Sequence, residues 1–211
     1  MNRPKAEKIS LANFLAWEQA QSERHEWIDG TVVPCAGVSF EHATISTNLN
    51  AIFRSAVNPG PCFVQPSDRQ LVPRNSAGEN LGSFYADLFV SCAPEDRTGR
   101  AAHFPKIVVE ILSAHAGDEF TRKKDAYLGS AVLTEYIIVD STRRYVVRYA
   151  WKEGRADRPR LVTAEYRRGP VPVPTLGLTI SFDEIYDGTT VPAILHPISP
   201  DDIEDSAIVL D

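Results

Sequence analysis

No stretch of this chain is long and apolar enough to cross a bilayer. Its hydrophobic runs last only a few residues before a charge interrupts them, whereas a membrane helix needs about 20. The opening residues, Met1-Asn2-Arg3-Pro4-Lys5-Ala6-Glu7-Lys8, lead into no signal-peptide core, so a cytoplasmic location with no membrane partner is expected. Cysteine is scarce. Cys35, Cys62 and Cys92 are odd in number and lack CxxC spacing, which argues against both a disulfide framework and a zinc site. They are expected to be reduced, semi-buried small residues. There is no G-x-S-x-G elbow, no glycine-rich phosphate loop and no H-E-x-x-H helix, which leaves serine hydrolase, nucleoside-triphosphatase and zinc-protease chemistry without an anchor. No internal repeat is present.

What is present has the composition of a soluble globular protein, 43% hydrophobic and 24% charged over 211 residues. That suffices for one domain with a substantial core, whereas two domains would each be small. The net charge is −6, unfavourable at first sight for binding a polyanion. Asp201, Asp202, Glu204, Asp205 and Asp211 account for most of it. Residues 1–200 carry 22 basic and 23 acidic side chains, a net −1. A near-neutral body can still present a basic face, because attraction depends on local clustering. Clusters occur at Arg122-Lys123-Lys124, at Arg143-Arg144 with Arg148, from Arg155 to Arg160, and at Arg167-Arg168; solvated helix and hairpin faces explain them equally well.

Ser10 is placed to cap a short amphipathic helix carrying Leu11, Phe14, Leu15 and Trp17. Residues 24–33 read as two strands joined at Asp29-Gly30, a dipeptide suited to a tight hairpin turn. Ile45, Leu49, Ile52, Phe53 and Val57 mark a helix over 40–57, which Asn58-Pro59-Gly60-Pro61 ends. Strands are expected at 62–65, 69–72, 84–90 and 107–112, then a turn at Ser113–Gly117 and a helix over 118–129. Glu135-Tyr136-Ile137-Ile138-Val139-Asp140 is nearly continuous in apolar character, so it should lie centrally in a sheet. Residues 145–151, 160–166 and 177–186 suggest an antiparallel β-meander closed by a short helix. The domain is expected over 1–186, followed by an acidic, proline-containing tail of lower order over 187–211.

Two carboxylates stand out. Asp87 and Glu110 lie in the apolar runs Phe84-Tyr85-Ala86-Asp87-Leu88-Phe89-Val90 and Ile107-Val108-Val109-Glu110-Ile111-Leu112. A carboxylate is costly to bury unless its charge is compensated, and a divalent cation shared by two of them does so. With Lys123 following, the set suggests a metal-dependent phosphodiesterase.

The order of these segments resembles the Uma-two family of bacterial endonucleases in the PD-(D/E)XK restriction-endonuclease-like superfamily. The resemblance runs from about Leu11 to Tyr186, through His25–Gly30, Glu41-His42, Ala86-Asp87-Leu88, Val108–Ser113, Lys123 with Tyr127, and Glu135–Asp140. No single segment is specific; the ordered set is. It implies an α/β (mixed α+β) core with a curved mixed central sheet flanked by helices, and a cation site at Asp87 and Glu110. The chain departs from the family pattern in two places. Ala86 stands where the family usually has proline, which removes no ligand. The superfamily's strand lysine is absent, since Glu110 is followed by Ile111 and Leu112, and Lys123 on the next helix takes its place. Lys124 points about 100° away on that helix.

In this reading Asp87, Glu110 and the backbone carbonyl of Ile111 hold one Mg²⁺ or Mn²⁺. Lys123 orients water or stabilises the developing anion. Glu26 adds a further carboxylate, and His42 contacts phosphate or shuttles a proton. The substrate expected is DNA, cut by a two-fold pair of protomers. Each residue also has a plainer reading. Asp87 and Glu110 could be structural ion pairs, Glu26 an exposed hairpin residue, His42 a capping or packing group, Lys123 a solvated helix residue, and Tyr127 and Tyr136 packing rings. His25, His103, His115 and His196 show no ligand spacing. The alternative for the whole chain is an inactive nucleic-acid-binding or protein-interaction module on the same fold.

Overall fold

The computed structural model describes residues 8–113, 118–152, 160–193 and 208–210. The turn at 114–117, the basic run over 155–159, His115, His196 and the tail acids at 201–205 and 211 lie outside the described residues.

The chain begins with α1 (Leu11–Glu18), where Ser10 Oγ accepts from the Asn13 N–H at 3.2 Å, satisfying one of the donors a helix start leaves orphaned. The hairpin β1 (His25–Ile28) and β2 (Thr31–Pro34) turns on Asp29 and Gly30, both at positive φ, +50° and +89°. That conformation matches strand twist and explains the Asp-Gly pair. Helix α2 (Phe40–Val57) is capped by Ser39, and Ile45, Leu49 and Phe53 recur every fourth residue as its buried stripe. Then follow β3 (Phe63–Pro66), β4 (Gln70–Leu71), β5 (Leu88–Ser91), β6 (Ala101–Ala102), β7 (Pro105–Leu112), α3 (Asp118–Leu128), β8 (Glu135–Asp140), β9 (Val146–Lys152), β10 (Arg160–Tyr166), β11 (Val171–Val173), β12 (Leu178–Ile180), α4 (Phe182–Tyr186) and β13 (Ile208–Leu210).

The main sheet has the order β13-β10-β9-β8-β7-β5-β3. It is mixed, because β7 and β8 run parallel across the α3 connection while the other neighbours are antiparallel. β8 occupies the central position that its apolar run predicts, with five of its six residues buried. One face packs Ile45, Leu49 and Phe53 of α2 against Leu88, Val109 and Ile137; the other packs Tyr127 of α3 and Ile28 of the hairpin against Phe89, Val108 and Tyr136. No described helix is long and apolar enough to cross a membrane.

The cysteine pairing and the place of Arg148 differ from expectation. Cys62 and Cys92 form a disulfide with Cα atoms 3.9 Å apart. Phe63 pairs with Ser91 across β3 and β5, so the residues one step further out face each other. Cys35 alone keeps a free thiol. The meander strands β9 and β10 extend the central sheet, and the two-stranded pair β11–β12 stands apart. Arg148 belongs to no basic surface: it is buried and bonds Glu135 at 3.0 Å across β8 and β9. Within the C-terminal segment, Ile208–Leu210 pairs with β10 at the sheet edge.

Candidate active site

The β5–β7 ladder matches Leu88 with Val109 and Phe89 with Val108. One step beyond its end, that register sets Asp87 opposite Glu110 on one side of the sheet. Asp87 Oδ2 accepts the Ile111 N–H at 2.7 Å. Because a strand residue's N–H and C=O point to the same side, the Ile111 carbonyl also faces Asp87, past the last paired residue of β5. The other Asp87 oxygen, Oδ1, lies 2.8 Å from His42 Nε2. A carboxylate only accepts, so Nε2 carries the proton there, while the buried Nδ1 has no partner among the described residues. His42 therefore reaches Asp87 itself, in addition to giving its backbone N–H to the Ser39 cap.

Helix α3 supplies the rest. Lys123 and Tyr127, four residues apart, share the helix face toward the sheet. The Lys123 ammonium lies 2.6 Å from Glu26 Oε1 and 3.0 Å from Glu110 Oε1. Tyr127 donates its hydroxyl to the same Glu110 oxygen at 2.9 Å. Glu26, on β1, also accepts the Tyr85 N–H at 2.8 Å. Lys123 and Glu26 are thus inward partners: their side chains are 12% and 14% exposed, which the readings of a solvated helix face and an exposed hairpin residue do not allow. Tyr136 packs between Tyr127 and Tyr149.

Burial pushes the Glu110 carboxyl up to about 8; Lys123 works against that shift, and Asp87 and Glu26 add to it. Burial also disfavours the Lys123 ammonium, but Glu110 and Glu26 outweigh it and hold its pKa above the ordinary lysine value. Glu26 and Glu110 therefore converge on Lys123, and Asp87 lines the same cleft of about 260 Å³. Among the described residues no three His, Cys, Asp or Glu side chains close into a full metal cage, so any cation here would draw on Asp87, Glu110 and backbone oxygen. Cys35 borders the cleft, but loss of solvation and then Glu26 push its thiol up to about 12. That disfavours the thiolate form at neutral pH.

Two contacts go beyond the roles read from the sequence. Tyr127 orients Glu110 as well as packing, and the four-residue spacing from Lys123 was a signal for it. Glu18 accepts the His25 N–H at 2.8 Å and the Tyr85 hydroxyl at 3.2 Å, bracing β1 behind the site; nothing in the local sequence pairs these residues. The basic clusters are largely spoken for. Arg143 bonds Asp140 and Arg144 bonds Asp183, each at 2.7 Å, and Lys124 lies 5.6 Å from the Tyr149 ring.

Comparison with known proteins identifies the family and the fold. Residues 11–183 match the Uma2 (Uma-two) family, described as "Putative restriction endonuclease". The uncharacterized protein slr1290 of Synechocystis sp. is 28% identical over 184 residues, covering 86% of this chain and 93% of the relative. A second Synechocystis protein, the uncharacterized sll1609, is 28% identical over 136 residues, covering 63% of this chain and 75% of its own. The crystal structure of a putative nuclease belonging to DUF820 from Anabaena variabilis superposes with a TM-score of 0.65 at 18% identity, covering 84% of this chain and 97% of that one. That likeness is one of fold.

Proposed function

Since this chain belongs to the Uma2 family, we propose that it is a metal-dependent endonuclease that hydrolyses phosphodiester bonds of DNA at the Asp87–Glu110 cleft. The observation that carries this reading is the surplus of carboxylate over cationic charge around a buried Glu110. A pure binding module gains nothing from clustered acids that repel phosphate, whereas a hard divalent cation fits them.

Asp87, Glu110 and the Ile111 carbonyl are the oxygens that would hold Mg²⁺ or Mn²⁺. When bound, such an ion supplies an acidified water and offsets charge growing on the phosphorus. Lys123, fixed between Glu26 and Glu110, presents a compact ammonium to the anion at the scissile phosphate. Tyr127 fixes one oxygen of Glu110, and the Ile111 N–H fixes one of Asp87. His42 acts through Asp87 as a positioning residue, since its Nε2 is committed to that carboxylate. Glu26 holds Lys123 and adds to the negative potential of the cleft. A two-fold homodimer would set one such cleft against each strand of a duplex.

Incubation of the purified chain with supercoiled, linear and single-stranded DNA in Mg²⁺ or Mn²⁺ tests the proposal. Cleavage is expected from the wild type and not from Asp87→Ala or Glu110→Ala proteins that retain the native circular dichroism spectrum. Retention of DNA with no cutting under any cation would support the inactive binding module instead.

A further inference from the structure

The link from β2 to α2 forms one wall of the catalytic cleft. Residues 34–38 line it together with Asp87 and Glu110, and both ends of the link are fixed. The Cys35 N–H bonds the Arg24 carbonyl at 2.9 Å, one rung beyond the paired strands of the hairpin. At the other end Ser39 Oγ accepts the His42 N–H at 3.2 Å, and His42 reaches Asp87. The carboxylates are recessed beside this wall, with the Asp87 and Glu110 side chains only 15% and 9% exposed.

The composition of this wall does not suit a phosphate. Residues 34–40 are all exposed, and none carries a charge. Trp17, Val38 and Phe40 are the large hydrophobic side chains that stand exposed among the described residues. Trp17 lies against the rings of Phe14 and His25. Val38, 59% exposed, lines the cleft itself, and Phe40, 65% exposed, follows two residues on as the first residue of α2. Phe120 of α3 also lines the cleft, three residues before Lys123 and so on the same helix face. Phosphate oxygens gain nothing from these side chains, whereas a nucleobase presents a flat apolar face that does. In a paired duplex neighbouring pairs cover those faces and the grooves show base edges. Apolar side chains reach the faces only where a step is unstacked.

We propose that Val38 and Phe40 hold the face of a nucleobase that has left the helical stack beside the bond to be cut, with Phe120 on the α3 side of the same cleft. The preferred substrate is then DNA with unpaired nucleotides, either a single strand or a duplex at a mismatch. A continuous duplex is cut more slowly, because a base must first be drawn out of the stack. This names the substrate class of the Asp87–Glu110 cleft. It rests on the nuclease reading for the cut alone, and binding tests the base contact separately.

Fluorescence anisotropy in Ca²⁺ is measured with labelled probes of about 12 nucleotides, alongside cleavage in Mg²⁺. The probes are an oligothymidylate, an abasic deoxyribose-phosphate strand of the same length, and a duplex. The wild type should prefer the oligothymidylate to either of the others by about ten-fold. The double variant Val38→Ser/Phe40→Ser changes two exposed positions and should keep the native circular dichroism spectrum. It should bind the oligothymidylate about ten-fold more weakly and the abasic strand as the wild type does. Its salt slope should not change, because no phosphate contact is removed, and Phe40→Tyr should bind like the wild type. Equal weakening on the oligothymidylate and the abasic strand, weakening on neither, or a wild type that binds the duplex at least as tightly as the oligothymidylate overturns the base contact whether or not the protein cuts. The expected binding pattern without cutting keeps the base contact and removes the nuclease. A wild type that binds none of the probes removes both.

Discussion

Lys123 and Glu26 are 97 residues apart in the chain, and their charged atoms are 2.6 Å apart in the fold. The same ammonium touches Glu110 at 3.0 Å, so one helix residue ties the hairpin to the central sheet at the point where the proposed chemistry occurs. Removing that charge exposes two buried carboxylates to each other. Lys123→Met should lower kcat by about 10²-fold or more. It should also cost stability, on the order of 3–5 kcal/mol for breaking a buried pair on one side. Urea denaturation and single-turnover cleavage read the two effects separately; a variant with wild-type kcat would remove Lys123 from the mechanism.

Stability of the cation-free protein should depend on pH through Glu110. Its folded pKa, about 8, lies above the ordinary value of 4.5. The folded state therefore binds more protons than the unfolded chain across that interval, and stability falls as pH rises from about 4.5 to 8. The Lys123 shift is upward too, so its contribution is lost only above the ordinary lysine range, outside this window. Melting curves between pH 5 and 8 should show a declining Tm in the wild type and a flatter one in Glu110→Gln. Parallel curves for the two proteins would show that Glu110 titrates normally.

Tyr127→Phe keeps the ring against Phe84 and Tyr136 and deletes only the hydroxyl that bonds Glu110. A fold cost of about 1 kcal/mol is expected, together with Mn²⁺ affinity reduced about 10- to 100-fold, the usual consequence of losing a group that orients a metal ligand. Unchanged Mn²⁺ affinity would reduce Tyr127 to a packing residue.

His42→Ala distinguishes positioning from substrate contact. A histidine that acts through Asp87 should weaken Mn²⁺ binding about 10- to 100-fold while leaving DNA affinity in Ca²⁺ and its salt slope unchanged. One that touches phosphate would lower the slope by about one. The second outcome would restore the phosphate role expected from sequence and contradict the geometry at Asp87.

Much of this was legible in the sequence because the signals were local. The Asp29-Gly30 turn, the Ser10 cap, the four-residue stripe of α2 and the unbroken apolar run of β8 each encode structure within a few residues. Asp87, Glu110 and Lys123 were legible as an ordered set, since a strand, a crossover and a helix fix which residues return to one sheet end. What was not legible depended on pairings between distant segments. The Cys62–Cys92 disulfide needs β3 to lie beside β5, and Arg148 looked solvated until β9 set it across from Ile137 in β8, within reach of Glu135 on the same face. The link from His42 to Asp87 required the first turn of α2 to lie beside the start of β5, a tertiary fact that helical spacing does not carry.

Calorimetric titration of Mn²⁺ into the purified chain tests the central claim most directly. The wild type should take up the ion at the Asp87–Glu110 cleft, and Asp87→Asn and Glu110→Gln proteins of native fold should each lose that uptake. An isotherm with no heat of binding, or one unchanged by both substitutions, would contradict the account.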